Sequence, residues 1–286
     1  MMMRPRSVCL VLLALAAWLA TATCAKPHNY LDPTGPKYEG GYVDPAGPGT
    51  GRRPDGPIRV VSFNIEYSKE IDKAIALLRG SAPLRDVEIL LLQEMEPSGV
   101  DRIARALGVN YVYFPSNVNV MTHVDFGAAI LSPWPIDDAR KIVLPHAAFG
   151  TWSRRSATSA VVHRGPLRIR TVSVHLPAPA GIRDEDREDQ TRLILDSVKD
   201  SADAVIVGGD FNARAPGRMF EKSGFLWLTD RLPGTSWGFG KWWSFDHVFA
   251  RGLGPAADGP AAGVVESAGA SDHRAVWVRV AVQNEK

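Results

Sequence analysis

The sequence predicts a layered α/β (α+β) domain over residues 58–282, and three observations carry that prediction. Apolar, β-branched runs of strand length alternate with segments whose apolar residues recur at helical spacing, a pattern that builds stacked layers of sheet and helix. With 45% hydrophobic and 22% charged residues over 286 positions, the chain can bury a sizeable core and is not disordered as a whole. The two cysteines, Cys9 and Cys24, both precede the domain, so neither a disulfide scaffold nor a Cys-ligated zinc holds it together.

The elements follow in order. Residues 1–24 read as an export signal: Arg4 and Arg6 are followed by the apolar stretch Val8 to Ala20 and by small residues. Cleavage after Ala22 and lipidation of Cys24, as in a bacterial lipoprotein, are both open, and an uncleaved anchor is a third reading. Either processing places the protein in the periplasm or outside the cell. Removing this signal leaves 31 basic against 31 acidic residues, so no global charge draws the protein to nucleic acid or anionic membrane. Residues 25–57 read as a linker; seven Pro and seven Gly between 26 and 57 exclude a regular helix or strand there.

From Ile58 to Ile65 the chain is apolar and β-branched, as a buried strand is. Ile71, Ala74, Ile75 and Leu78 then mark a helix, Val87 to Gln93 a second buried strand, and Val100 to Leu107 a short helix. Further strands are expected at 111–114, 127–131, 159–162 and 168–174, the last with one wetter face. Arg183 to Lys199 is the longest helix candidate, Ala204 to Val207 a core strand stopped by Gly208-Gly209, and Ala275 to Val280 the closing strand. No composition break divides 58–282, so one domain is expected.

Chelating and proton-carrying side chains appear where these apolar strands end. They are Asn64, Glu94, His175, Asp210 with Asn212, Asp246 and Asp272-His273. Each alone has a structural explanation, but strand ends of layered α/β domains face a common crevice, so together they point to one site. His247, next to Asp246 on a strand, faces the other side and is read as structural.

Six motifs occur in a set order: Ser62-Phe63-Asn64-Ile65, Leu92-Gln93-Glu94, Ser173-Val174-His175-Leu176, Gly208-Gly209-Asp210-Phe211-Asn212, Phe245-Asp246-His247-Val248-Phe249 and Ser271-Asp272-His273. The series resembles the endonuclease/exonuclease/phosphatase superfamily of deoxyribonuclease-like and neutral sphingomyelinase-like phosphoesterases. That resemblance implies a four-layer sandwich of two packed mixed β-sheets flanked by helices. It also implies hydrolysis of a phosphate ester with Mg2+ or Mn2+, in line with oxygen ligands and no thiols. On it, Glu94 and Asp272 are the expected metal ligands, with Asn64 beside Glu94. Asp210 orients or deprotonates the attacking water, and Asn212 holds that water or a phosphate oxygen. His273, paired with Asp246, contacts the phosphate or serves as base; His175 contacts the phosphate; Arg155 resembles a phosphate-side arginine. A membrane lipid or extracellular nucleic acid is the expected partner, with a small phosphomonoester as alternative, and a monomer with no protein partner is implied.

The aromatic run Trp237, Phe239, Trp242 and Trp243 just before Asp246 cannot bury every ring across its glycines, so Trp237 and Trp242 are expected at the crevice mouth as substrate-binding rings. Two other readings compete with this one. Gly234-Thr235-Ser236-Trp237-Gly238 fits the nucleophile elbow of serine hydrolases, but no apolar strand precedes Ser236 and no helix follows it. A binding module with a dead site is disfavoured because every motif position carries a competent residue.

Overall fold

A computed structural model describes residues 26–44, 56–200 and 203–282. The signal, Cys24 and part of the linker lie outside the described residues. Two sheets form the body. The first runs in the order β1 (Tyr38–Gly41), β4 (Asn110–Val118), β5 (Asp125–Ser132), β3 (Ile89–Met95), β2 (Ile58–Asn64), β16 (Ala275–Val282) and β14 (Leu253–Pro255), with β15 (Ala262–Val265) also paired to β16. The second runs β10 (Leu226–Trp227), β13 (Asp246–Arg251), β9 (Ala204–Asp210), β8 (Leu167–His175), β7 (Ser156–Arg164) and β6 (Ile136–Val143). Each sheet has one parallel pair, β2 with β3 and β8 with β9, and all other pairs are antiparallel.

The layers follow from which strand faces are apolar. Val60, Leu91, Ile130, Val276 and Val278 of the first sheet meet Val162, Ile206 and Val248 of the second in a buried core between the sheets. On the outer face of the first sheet lie helices α1 (Ile71–Gly80) and α2 (Pro97–Leu107), through Ile71, Ala74, Leu78, Val100 and Ile103. Helices α3 (Asp184–Val198) and α4 (Ala215–Lys222) cover the second sheet through Ile194, Val198 and Phe220. Burying one such Leu or Ile side chain stabilises the fold by roughly 1.5–3 kcal/mol. The four-layer sandwich expected from the motifs is what forms. The helix ends are chemically sensible too: Pro97 opens α2, Gly108 closes it with φ 63°, and Asp184, Glu185 and Asp186 sit in the first turn of α3.

One expectation is corrected. The Pro/Gly-rich stretch does hold a strand: β1 pairs antiparallel with β4, Tyr38 opposite Tyr113. Edge position makes this tolerable, because a short edge strand at Gly40-Gly41 needs hydrogen bonds on one side alone. Upstream, Asn29 bridges to Asn117 and the Tyr30 hydroxyl donates to Asp125 at 2.8 Å. Residues 28–30 and 38–41 are therefore hydrogen-bonded along β4, with most of the stretch between them exposed. Among the described residues, no helix is long and apolar enough to cross a membrane.

Candidate active site

Register builds the floor of the site. Asp210 ends β9, with His175 opposite it on the parallel neighbour β8 and Asp246 opposite it on the antiparallel neighbour β13. Residues directly paired across strands share a face, so the three side chains converge. The tight approach needs Gly209: its φ is +145°, and a Cβ there would lie 1.9 Å from the Val174 carbonyl oxygen. Asn212, at φ +52°, donates its backbone N–H to Asp210 Oδ1 at 2.8 Å and its amide nitrogen to the Leu176 carbonyl at 2.9 Å. That side chain braces the turn after β9.

The first sheet brings the other half. A register shift between Leu92 and Met95 bulges β3, and Glu94 adopts φ +58° there. Bulges of this kind re-aim a side chain beside an active site. Asn64 Nδ2 donates to Glu94 Oε1 at 3.3 Å and to Asp210 Oδ2 at 3.1 Å, linking the two sheets. Its Oδ1 accepts the Glu66 N–H at 3.1 Å, which fixes the amide orientation. Asn64 thus stands beside Glu94 with its nitrogen toward the carboxylates, bridging the two acids. Gln93 adds a second cross-sheet tie, donating to Ser173 Oγ at 3.1 Å.

His273 Nδ1 is 2.8 Å from Asp246 Oδ2, and its Nε2 is 3.7 Å from Asp210 Oδ2. His175 Nε2 is 3.6 Å from Asp210 Oδ2 and 3.8 Å from Glu94 Oε1. Burial alone would push the His273 imidazolium down, but Asp246 and Asp210 outweigh it and lift it to about 10. Burial and the Arg155 charge hold His175 well below the usual histidine range, so it is neutral. Burial pushes Asp210 up to about 7 against the pull of His273, and it raises Glu94 as well, opposed chiefly by Arg155.

Above this floor the loops form a rim. Arg155 stacks its guanidinium 4.6 Å over Phe126, whose ring is 5.6 Å from that of His175. Enclosure lowers its pKa, while Glu94, Tyr67 and Asp210 oppose that shift. Asp272 is exposed beside His273 and close enough to raise the Glu94 pKa. Trp237 and Trp242 pair across a hairpin of β11 (Ser236–Gly238) and β12 (Lys241–Trp243), and both are exposed, as is Phe239 at its tip. Trp243 packs instead, stacked on Phe245. Ser236 lies on this hairpin, bridged to His273, with no helix after it, which disposes of the nucleophile elbow. His247 is buried, receives the Trp227 indole N–H at 3.3 Å and faces Phe211 and Phe249, away from the site.

Two residues of the site were not expected there from the sequence. Thr235 Oγ1 accepts the Phe245 and Asp246 backbone N–H groups at 3.3 and 3.2 Å, fixing where Asp246 starts. Tyr67, at φ +56°, donates its N–H to Glu94 Oε2 at 3.1 Å and leans its ring on Phe126. Hydroxyls and backbone donors that act from loops leave no pattern in a sequence.

The donor set suits a hard divalent cation. Ligand atoms of Asp210, Asp246 and His273 lie within 4.8 Å of one another, but His273 already serves those two carboxylates as their counter-charge. Among the described residues, the side-chain oxygens of Glu94 have only neutral donors, the Asn64 amide and the Tyr67 N–H, within hydrogen-bond reach, and exposed Asp272 is near enough to act on its charge. His175 Nδ1 and Arg155 Nε are enclosed without a hydrogen-bond partner, so the site is built to receive further groups.

Two packed sheets with acids, imidazoles and an arginine gathered at their shared end define a sandwich hydrolase of phosphate esters. The chain belongs to the endonuclease/exonuclease/phosphatase family, whose model matches residues 61–273. Members of this family hydrolyse phosphoester bonds and are generally dependent on divalent metal. Among solved structures, it is similar to a D. rerio TDP2 carrying 14 humanizing mutations, with TM-score 0.62 and 16% identity over 79% of this chain and 99% of that one. It is also similar to the human Nocturnin catalytic domain with bound sulfate, at TM-score 0.60 and 18% identity over 86% and 98%. An endonuclease/exonuclease/phosphatase from Beutenbergia cavernae matches at TM-score 0.63 and 19% identity over 79% and 72%. No curated protein sequence matches the chain.

Proposed function

We propose that the protein is an exported, divalent-metal-dependent phosphodiesterase that cleaves a phospholipid head group or a nucleic-acid strand by in-line attack of an activated water. The observation that carries this reading is the convergence on Asp210: His175, His273 and Asn64 all stand within 3.7 Å of its Oδ2.

A magnesium or manganese ion held by Glu94 and Asp272 would neutralise phosphate charge and stabilise the charge that develops in the transition state. The rest is work for the chain's own residues. Asp210, whose proton affinity burial brings close to neutrality, orients the water and takes its proton. His273 stays an imidazolium against Asp246 and meets the phosphate oxygens. Neutral His175 and the Arg155 guanidinium stand on the opposite side of Asp210 and donate to the transferred group. Asn64 keeps Glu94 and Asp210 apart at fixed spacing. Asn212, whose nitrogen is tied to Leu176, stiffens the turn that presents Asp210.

Exposed Trp237, Phe239 and Trp242 lie on the hairpin that bridges to His273 through Ser236, and they support a substrate larger than a phosphate monoester, because an exposed ring near the site can stack on a base or enter a lipid interface. The N-terminal charge pattern and apolar stretch support export, and Cys24 is a candidate lipid anchor.

The test is turnover of bis-p-nitrophenyl phosphate with magnesium, followed by a panel of plasmid DNA, RNA, sphingomyelin and phosphoinositides. EDTA abolishes the activity and magnesium restores it. Glu94→Ala loses orders of magnitude in rate with the fold intact. Chelator-resistant turnover, or an active Glu94→Ala variant, would refute the proposal.

A further inference from the structure

We infer that Asn29, in the stretch outside the family match at 61–273, is a positioning residue of the active site that fixes the backbone carrying Arg155. The inference rests on Arg155 facing the phosphate as proposed above.

Arg155 poses a problem that no strand end solves. It closes the loop between β6 and β7, where His146, Gly150 and Trp152 all have left-handed φ values, and its long side chain loses rotamer freedom to hold one position. Four contacts pin the backbone around it. The Arg155 carbonyl accepts the Leu144 N–H at 2.9 Å. After it, the Ser156 N–H donates to Ser116 Oγ at 3.0 Å. Before it, the Arg154 carbonyl accepts Asn117 Nδ2 at 2.9 Å, and the Arg154 N–H donates to Asn29 Oδ1 at 2.7 Å. Asn29 also donates Nδ2 to the Trp152 carbonyl at 3.0 Å. One amide thus ties Trp152 and Arg154 together, using both its donor and its acceptor.

Asn29 is itself held as a strand residue would be. It bridges to Asn117, while the Tyr30 N–H donates to the Ser116 carbonyl at 2.9 Å and the Val118 N–H donates to the His28 carbonyl at 2.8 Å. The segment therefore pairs alongside the end of β4 and reaches from it to the loop. Asn117 and Ser116, which touch the same loop directly, belong to that strand end. The line of force runs from the β4 edge through Asn29 to the residue before Arg155. Asparagine suits the post: aspartate would keep the acceptor for Arg154 but set a charge against the Trp152 carbonyl, and alanine would lose both bonds.

The experiment is a double-mutant cycle in the full chain, with steady-state kinetics on bis-p-nitrophenyl phosphate and thermal unfolding of each variant. Asn29→Ala lowers kcat/KM about tenfold, since small displacements of a positioned group cost one to two orders of magnitude. Asn29→Asp falls between Asn29→Ala and wild type. In an Arg155→Ala background, Asn29→Ala causes no further loss, because the group it positions is gone. A merely structural role predicts the opposite, with equal fold-losses in both backgrounds that track the melting temperature, and that result would overturn the inference. Wild-type kinetics for Asn29→Ala with an impaired Arg155→Ala would sink Asn29 and leave the reading of Arg155 standing. Wild-type kinetics for Arg155→Ala itself would remove both.

Discussion

Asp210 and Arg155 share one electrostatic neighbourhood, yet the chain fixes them by different means. Asp210 is placed by register: two strand pairings set His175 and Asp246 beside it, and a glycine with no room for a Cβ lets the strands close. Arg155 is placed by side chains reaching for a loop backbone, from Asn29, Asn117 and Ser116. The aromatic hairpin is held in the second manner, through Thr235 and through the Arg274 guanidinium 3.5 Å over Trp242. Chemistry common to a family can rest on register, which survives wide sequence change. A rim held by single hydrogen bonds can be rebuilt for another leaving group.

The comparison is sharpened most at its centre. Asp210→Asn keeps the side chain's shape and its hydrogen bond from the Asn212 N–H, but it removes the carboxylate proposed as base and the charge opposite His273. Turnover should fall by roughly 10²–10⁴-fold, the usual worth of a positioned acid–base group. Single-turnover rates and a separate binding measurement check it. Binding lost in proportion to rate would show that Asp210 seats the metal or the fold instead.

The rim should respond more selectively. Trp237 and Trp242 are 54% and 38% exposed, and they touch each other rather than the core. Trp237→Ala and Trp242→Ala should leave a small chromogenic diester within a few-fold of wild type and reduce action on the large natural substrate by about tenfold or more, as stacking contacts worth ~1–3 kcal/mol would. Trp242 carries the second burden of supporting Arg274, so its variant should also lose a little stability. Equal losses on both substrates would mean that the hairpin acts only as a brace for His273.

This division also decides what a reader of the sequence could see. The floor was legible because apolar strands that stop at a polar residue leave a signature: Val205-Ile206-Val207 running into Gly208-Gly209-Asp210 states both the strand and its end. The six ordered motifs did the same for Glu94, His175, Asp246 and His273, and all of them meet. Asn64 was legible as a neighbour of Glu94, but its link to Asp210 was not, since which end of an amide meets a carboxylate depends on the Glu66 N–H behind it. Thr235 was visible only as part of a false elbow. The stretch around Asn29 was unreadable because proline and glycine argue against a free-standing strand, and nothing local says that β4 offers an open edge to pair with.

The smallest effect tests how firmly that N-terminal stretch is seated. It crosses Lys141 on β6, whose ammonium donates to the Gly35 carbonyl at 3.1 Å and lies 5.5 Å from the Tyr30 ring. Burial pushes Lys141 down to about 8, against the pull of Asp32 and Asp125. Between pH 8 and its ordinary 10.5, the unfolded chain therefore binds more protons at this position than the folded one. Stability from this group must rise with pH across that window. Two other groups run the other way. His273 is lifted to about 10 from 6.5 and loses stabilisation as pH climbs between those values, and Tyr30, raised to about 12 by burial and Asp125, does so above pH 10. The readout is thus a difference: Lys141→Met should melt higher than wild type at pH 7.5, and the gap should narrow through pH 9.5 and close above pH 10.5. A gap that stays constant with pH would show that Lys141 keeps its charge at no cost, and that the stretch over it is loosely docked.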